Sequence, residues 1–177
     1  MTLKEYQEQA KRTCPLLDSD LDIPHMIYGM MSEMPELIQA CNNEDKINIG
    51  EELTDLVWYL SNYCRFQNIQ LEDLVINVPI PSQNLIITED LMWWIGELAD
   101  INKKEIAYGK VYSLETEINI LQNLFYWIQV FYKRYNIDMY DCLDKNIAKL
   151  KQRYPEKFTT ENALNRDLNA ERKILED

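Results

Sequence analysis

Apolar side chains recur every three to four residues along most of the chain, the period of helices that bury one face. Thr2 and Glu5 have the spacing of a capping box and start a first helix that ends near Cys14-Pro15, followed by a loop over residues 15–23. From about Pro24, a first-turn position that suits proline, a second helix carries Ile27, Met30, Met31, Met34, Leu37, Ile38 and Cys41 on one stripe. It ends in the polar stretch Asn42-Asn43-Glu44-Asp45. A third helix presents Leu53, Leu56, Val57, Leu60 and Cys64 and runs to about Asn68, with a short helical turn over Leu71 to Val75. Residues 76–88 hold Pro79 and Pro81 among β-branched residues and read as an extended linker. Beyond it, Leu91, Trp94, Ile95, Leu98 and Ile101 mark a fourth helix, and Leu114, Ile118, Leu121, Phe125, Ile128 and Tyr132 a fifth. Tyr140 to Tyr154 make a sixth, stopped by Pro155, and residues 159–177 read as a capped terminal helix or arm.

The two halves resemble each other. Asp55 to Leu60, with Asn68-Ile69 after them, align at a constant offset of 68 with Asn123 to Ile128 and Asn136-Ile137. Glu33 and Glu36 align with Glu97 and Asp100 at an offset of 64. The expectation is an internal duplication of a helix pair, packed as a four-helix bundle, with an N-terminal helix and a C-terminal helical tail. Residues 1–177 then form one all-α domain: a first repeat over 1–75, the linker 76–88, a second repeat over 89–143, and the tail 144–177.

Composition narrows the function classes. Apolar residues are 46% and charged residues 27% of the 177, a globular mixture long enough to bury a core. Only four glycines and six prolines leave too few turns for an all-β sandwich. Thirty acidic against eighteen basic side chains give a net charge of -12, which opposes binding to nucleic acid or an anionic membrane, though a metal ion can still bring phosphates to an acidic protein. Met1 to Tyr6 lack the apolar run of a secretory signal or membrane anchor, so a soluble, cytoplasmic protein is expected. Cys14, Cys41, Cys64 and Cys142 are widely spaced, as reduced thiols are. His25 is the single histidine, which removes mechanisms that need a pair.

Glu33-x-x-Glu36 and, after fifteen intervening residues, Glu52-x-x-Asp55 are the informative pattern. Acids three apart share a helix face, and both pairs fall on matching flanks of their apolar stripes. Antiparallel packing across residues 42–46 would bring four negative groups together. Such repulsion calls for cations, and all-oxygen ligands favour Mg²⁺ or Mn²⁺, which suit a phosphate substrate. Pro35 lies between the first two acids, where it either bends the helix to aim them or breaks it.

Thr2-Leu3-Lys4-Glu5-Tyr6-Gln7, the two acid pairs, the block Glu51-Glu52-Leu53-Thr54-Asp55-Leu56-Val57-Trp58-Tyr59-Leu60 and the ending Asn146-Ile147-Ala148-Lys149-Leu150-Lys151-Gln152-Arg153-Tyr154-Pro155-Glu156-Lys157-Phe158 carry a resemblance. Together they resemble the MazG-type nucleoside triphosphate pyrophosphohydrolases of the all-α NTP pyrophosphatase superfamily, relatives of dimeric dUTPases and dCTP pyrophosphatases. The resemblance implies hydrolysis between the α- and β-phosphates of a (deoxy)nucleoside triphosphate, giving monophosphate and pyrophosphate. It implies Glu33, Glu36, Glu52 and Asp55 as Mg²⁺ ligands, with Glu33 and Glu36 also catalytic, and Asn146, Lys149 and Arg153 as substrate-binding residues. The charge distribution agrees: residues 144–177 hold eight basic side chains against seven acidic, the rest ten against twenty-three. The chain departs from single-domain members in interposing a second helix pair, where Ile120 and Asn123 replace Glu52 and Asp55. One competent carboxylate cluster is therefore expected, with Glu97 and Asp100 as relics.

Two other readings bear on the same acids. A di-iron carboxylate bundle needs Glu-x-x-His twice, which one histidine cannot supply. A non-catalytic helical interaction module would leave the acids solvated. Base and sugar preference and oligomeric state are not fixed by these motifs, with the tryptophan and tyrosine content hinting at a homodimer.

Overall fold

The computed structural model describes residues 1–77, 79 and 87–176. Its elements are α1 (Leu3–Lys11), α2 (Ser19–Asn42), α3 (Lys46–Phe66), a 3₁₀ turn (Leu71–Leu74), α4 (Ile87–Tyr108), α5 (Leu114–Arg134), α6 (Met139–Arg153), α7 (Thr160–Leu164) and α8 (Leu168–Glu176). No strand occurs among the described residues. The expected all-α bundle is present: α2 packs on α3, α4 on α5, α2 on α4 and α3 on α5. Outside these four helices, α1 and α6 cover the remaining side of α3, and α8 closes over α6.

Local chemistry explains the boundaries. Thr2 and Glu5 form the capping box: the Thr2 hydroxyl accepts from the Glu5 amide at 3.2 Å, and the Thr2 amide donates to Glu5 Oε2 at 2.7 Å. Asp45 caps α3 by accepting from the amides of Ile47 and Asn48, and Asp138 caps α6 through those of Tyr140 and Asp141. Helix α3 ends at Asn68 with φ 58°, α5 at Asn136 with φ 52°. The following amide closes each turn, Ile69 onto the Cys64 carbonyl at 2.8 Å and Ile137 onto that of Tyr132 at 2.9 Å. These identical left-handed caps stand 68 residues apart, the offset at which the two halves align.

Three expectations are corrected. Helix α2 begins at Ser19 rather than near Pro24, and it runs unbroken through both Pro24 and Pro35. Each proline frees the carbonyl four residues earlier, on Asp20 and Met31, and both of those residues are exposed, so water can satisfy it. The linker expected over 76–88 lies mostly outside the described residues, but Ile87 and Thr88 already belong to α4, with Ile87 buried in the core. The terminal arm is two short helices, α7 and α8, rather than one.

The core is continuous through the bundle and outward to α1 and α6. Several buried polar groups within it pair with one another or with backbone and tie the layers together. The side-chain amide of Gln7 donates to the carbonyls of Ser61 and Ile69, and its oxygen accepts from the Leu71 amide. Thr54 and Tyr132 share a 2.7 Å bond between α3 and α5, and Trp58 Nε1 donates to the Thr13 hydroxyl at 3.1 Å. These bonds hold α3, the helix that carries half of the acid pattern, from three sides.

Candidate active site

Helices α2 and α3 approach closely because Gly29 has no side chain. A Cβ there would fall within the van der Waals shell of the Tyr59 ring. The resulting antiparallel pair brings Glu33 and Glu36 of α2 opposite Glu52 of α3, with one carboxylate oxygen from each lying within 4.8 Å of the others. Glu33 is half-buried, Glu36 exposed and Glu52 buried. None of the three is in an ion pair with a described lysine or arginine.

Burial and mutual repulsion raise two of these carboxyls, Glu33 and Glu52. Burial, then the charges of Asp55 and Glu36, push Glu33 up to about 7, opposed by Lys149. Burial, then Asp55 and Glu51, with smaller parts from Glu33 and Glu36, push Glu52 up to about 9. A hydrogen bond joins Glu33 and Glu52. Opposite charge at this point would favour their ionised forms, which is how carboxylate sites couple metal binding to pH. The donors suit a hard divalent ion. Such an ion, holding oxygens at about 2.1 Å, keeps them no more than about 4.2 Å apart, so small side-chain rotations would converge the trio.

Asp55 stands beside this trio under different constraints. Lys149, 1% exposed, donates to Asp55 at 2.8 and 3.0 Å and to Glu51 Oε1 at 3.1 Å. Burial alone would lower the ammonium's pKa, but Asp55 and Glu51 outweigh it and the value is raised, so Lys149 is charged. Asn146, also buried, donates to Asp55 Oδ1 at 2.6 Å and accepts from the Tyr6 hydroxyl at 2.9 Å. Tyr6, Asn146, Asp55, Lys149 and Glu51 thus form one connected network across α1, α6 and α3.

The acids line a cleft of ≈ 310 Å³. The same cleft is lined by Arg153 at the end of α6, Arg166 between α7 and α8, and the aromatic residues Tyr154 and Phe158. His25, Trp58 and Tyr59 complete the lining. Tyr59 stands edge-on to both Trp58 and His25, with ring centroids 4.9 and 6.1 Å away. Burial lowers the His25 pKa, and its Nδ1 is buried without a partner among the described residues. The cleft therefore carries both signs of charge, carboxylates and guanidiniums, together with aromatic rings.

Residues 23–78, about a third of the chain, match the MazG nucleotide pyrophosphohydrolase domain. That is a family of hydrolases acting on nucleoside triphosphates, and the matched segment holds all four acids of α2 and α3. Searches among curated proteins and among solved structures return no match to this chain. No described helix is long and apolar enough to cross a membrane.

Within this MazG-like frame the structure gathers Glu33, Glu36, Glu52, Asp55 and Arg153 around the cleft. Asn146 and Lys149 point at Asp55 from behind it and are absent from the lining. Glu97 is exposed on α4, and Asp100 is paired with Lys103 and Lys104 on the same helix. Sequence reasoning did not identify Glu51, Arg166 or Glu171. Glu51 could have been found as the second acid that a buried Lys149 requires. Arg166 and Glu171 lie in a polar tail with no spacing that distinguishes them from a solvated helix.

Proposed function

We propose that this protein hydrolyses (deoxy)nucleoside triphosphates between the α- and β-phosphates, with Mg²⁺ bound by Glu33, Glu36, Glu52 and Asp55. The observation that carries the reading is the mixed charge of the cleft: three carboxylates without a described counter-cation share a space of ligand size with two arginines. A divalent ion held there supplies Lewis acidity toward phosphoryl oxygens. Arg153 receives the polyphosphate, and Tyr59 and Trp58 bound the nucleoside end. Glu33, which a bound cation would keep ionised, takes the proton from the attacking water. The water oxygen bonds to one phosphorus of the α–β anhydride as that atom's bond to the bridging oxygen breaks; the bridging oxygen stays on the other phosphate, and nucleoside monophosphate and pyrophosphate are released. Lys149 and Asn146 serve the substrate indirectly, by orienting Asp55.

Helices α4 and α5 are, in this reading, the degenerate copy that packs where a second subunit would otherwise be needed, with Glu97 and Asp100 inert. Mn²⁺ would substitute for Mg²⁺, and four free cysteines fit a cytoplasmic setting. A homodimer would use the groove between α2 and α4, where Tyr28, Met31 and Ile106 are exposed, and sedimentation velocity tests it. The deciding experiment is a panel of ribo- and deoxyribonucleoside triphosphates with Mg²⁺ and product analysis. Monophosphate plus pyrophosphate supports the reading; diphosphate plus phosphate overturns it. The interaction-module alternative requires solvated acids, whereas Glu52 is buried and Glu33 half-buried.

A further inference from the structure

Glu171 on α8 is 3% exposed and forms no part of the cleft lining, yet it holds both arginines that do. Arg153 donates to it in a fork, Nε to Oε1 at 2.9 Å and Nη2 to Oε2 at 2.6 Å. Arg166 donates to Oε2 from Nη2 at 2.8 Å and from Nε at 3.3 Å. The three groups together carry one net positive charge.

The position of the carboxylate decides what it does. A carboxylate projecting into the cleft would compete with phosphate. This one is buried outside the lining, and it fixes the planes of two guanidiniums that themselves line the cleft. A guanidinium has five N–H donors, and Glu171 engages two on each arginine. Arg166 lies between two short helices, and an arginine free to rotate carries substantial rotamer entropy that anion binding would have to overcome. The bond to Glu171 removes that cost in advance.

We propose that Glu171 is a positioning residue that sets Arg153 and Arg166 as a paired clamp for the pyrophosphate portion of the substrate. This rests on the hydrolase reading for its substrate, and it adds Arg166 and α8 to the site. The clamp explains why the tail folds back over α6, since α8 packs there through Glu171 and Leu175, its two buried residues.

The test uses the full chain with Mg²⁺ and titrates inorganic pyrophosphate by calorimetry beside steady-state kinetics on a nucleoside triphosphate. Arg166→Ala and Glu171→Gln should each weaken pyrophosphate binding about tenfold or more and raise KM, the loss of charge-assisted bonds. Titration of Mg²⁺ alone should be unchanged in Arg166→Ala, and Arg166→Lys should recover part of the pyrophosphate affinity because it restores charge without the fork. Should Glu171→Gln fail to fold, the half-exposed Arg166 still carries the test. Unchanged pyrophosphate affinity in folded Arg166→Ala overturns the clamp, and tighter binding in Glu171→Gln would show a plug instead. Normal α–β hydrolysis with unaffected variants sinks the clamp alone. Pyrophosphate binding that Arg166→Ala abolishes, in a wild type that turns over no triphosphate, sinks the hydrolase reading and leaves the clamp. A wild type that does neither overturns both.

Discussion

Replacing Lys149 by Met removes one buried positive charge while keeping the length and bulk of the side chain. Asp55 and Glu51 then lose the ammonium at 2.8 and 3.1 Å and stand uncompensated beside Glu33, Glu36 and Glu52. Breaking one partner of a buried ion pair costs about 3–5 kcal/mol. The two carboxylates are 25% and 17% exposed, so water relieves part of the penalty and the lower end, about 3 kcal/mol, is expected. For a chain of this size that is a fall of about 6–12 °C in Tm. The sign of the Mg²⁺ response follows from the same charges. A divalent ion binds the folded state and stabilises it, and it should do so more in the variant, whose acid cluster is one charge more negative. Thermal melts of wild type and Lys149→Met at several Mg²⁺ concentrations measure both effects. A loss below about 1 kcal/mol, or an Mg²⁺ shift no larger than in the wild type, would refute the reasoning that Lys149 balances the carboxylates.

Acid should loosen the tail. Burial alone would raise the Glu171 carboxyl, but the bonds from Arg153 and Arg166 outweigh it and hold it at about 2, well below the ordinary 4.5. Its stabilisation is therefore complete above about pH 4.5 and lost as pH falls toward 2; it is about 2 kcal/mol once water around the half-exposed Arg166 is allowed for. Denaturant melts across that window should show the acid limb in wild type and a flatter one in Glu171→Gln. Gly29→Ala should cost about 1–3 kcal/mol and raise KM by pushing the Tyr59 ring into the cleft, with Tyr59→Leu relieving part of the loss in the double variant. Glu36→Gln should abolish turnover while Glu97→Gln, exposed on the opposite helix pair, leaves it unchanged; equal losses would mean that the second pair is catalytic.

The helices were legible because their signals are local. An apolar stripe, the Thr2–Glu5 capping box and a stopping Pro155 each act within a few residues, and most of the corresponding ends fall within a turn of where those residues stand. The start of α2 was not, because proline's usual preference for a first turn competes with a fact no local pattern contains, namely which side of the helix faces water. Pro24 and Pro35 free carbonyls on the exposed side, and the helix continues through both.

The site divides along the same line. Glu33, Glu36 and Glu52 share a flank by periodicity alone, so their convergence needed only the short connection between α2 and α3. What each charged group does there depends on partners distant in sequence. Asp55 has the spacing of the other acids, yet Lys149, 94 residues away, engages both of its oxygens. Arg153 was expected from the sequence to meet the substrate, but its own partner was not: Glu171 fixes it from a helix with no motif of its own. The net charge of -12 is therefore a poor guide to the cleft, since Asp55 and Glu51 are paired with a buried cation, burial raises Glu33 and Glu52, and the trio of glutamates has no described counter-cation. Periodicity names the ligands of such a site, and the pairing of its charges, which sets what it can bind, is written only in the tertiary fold.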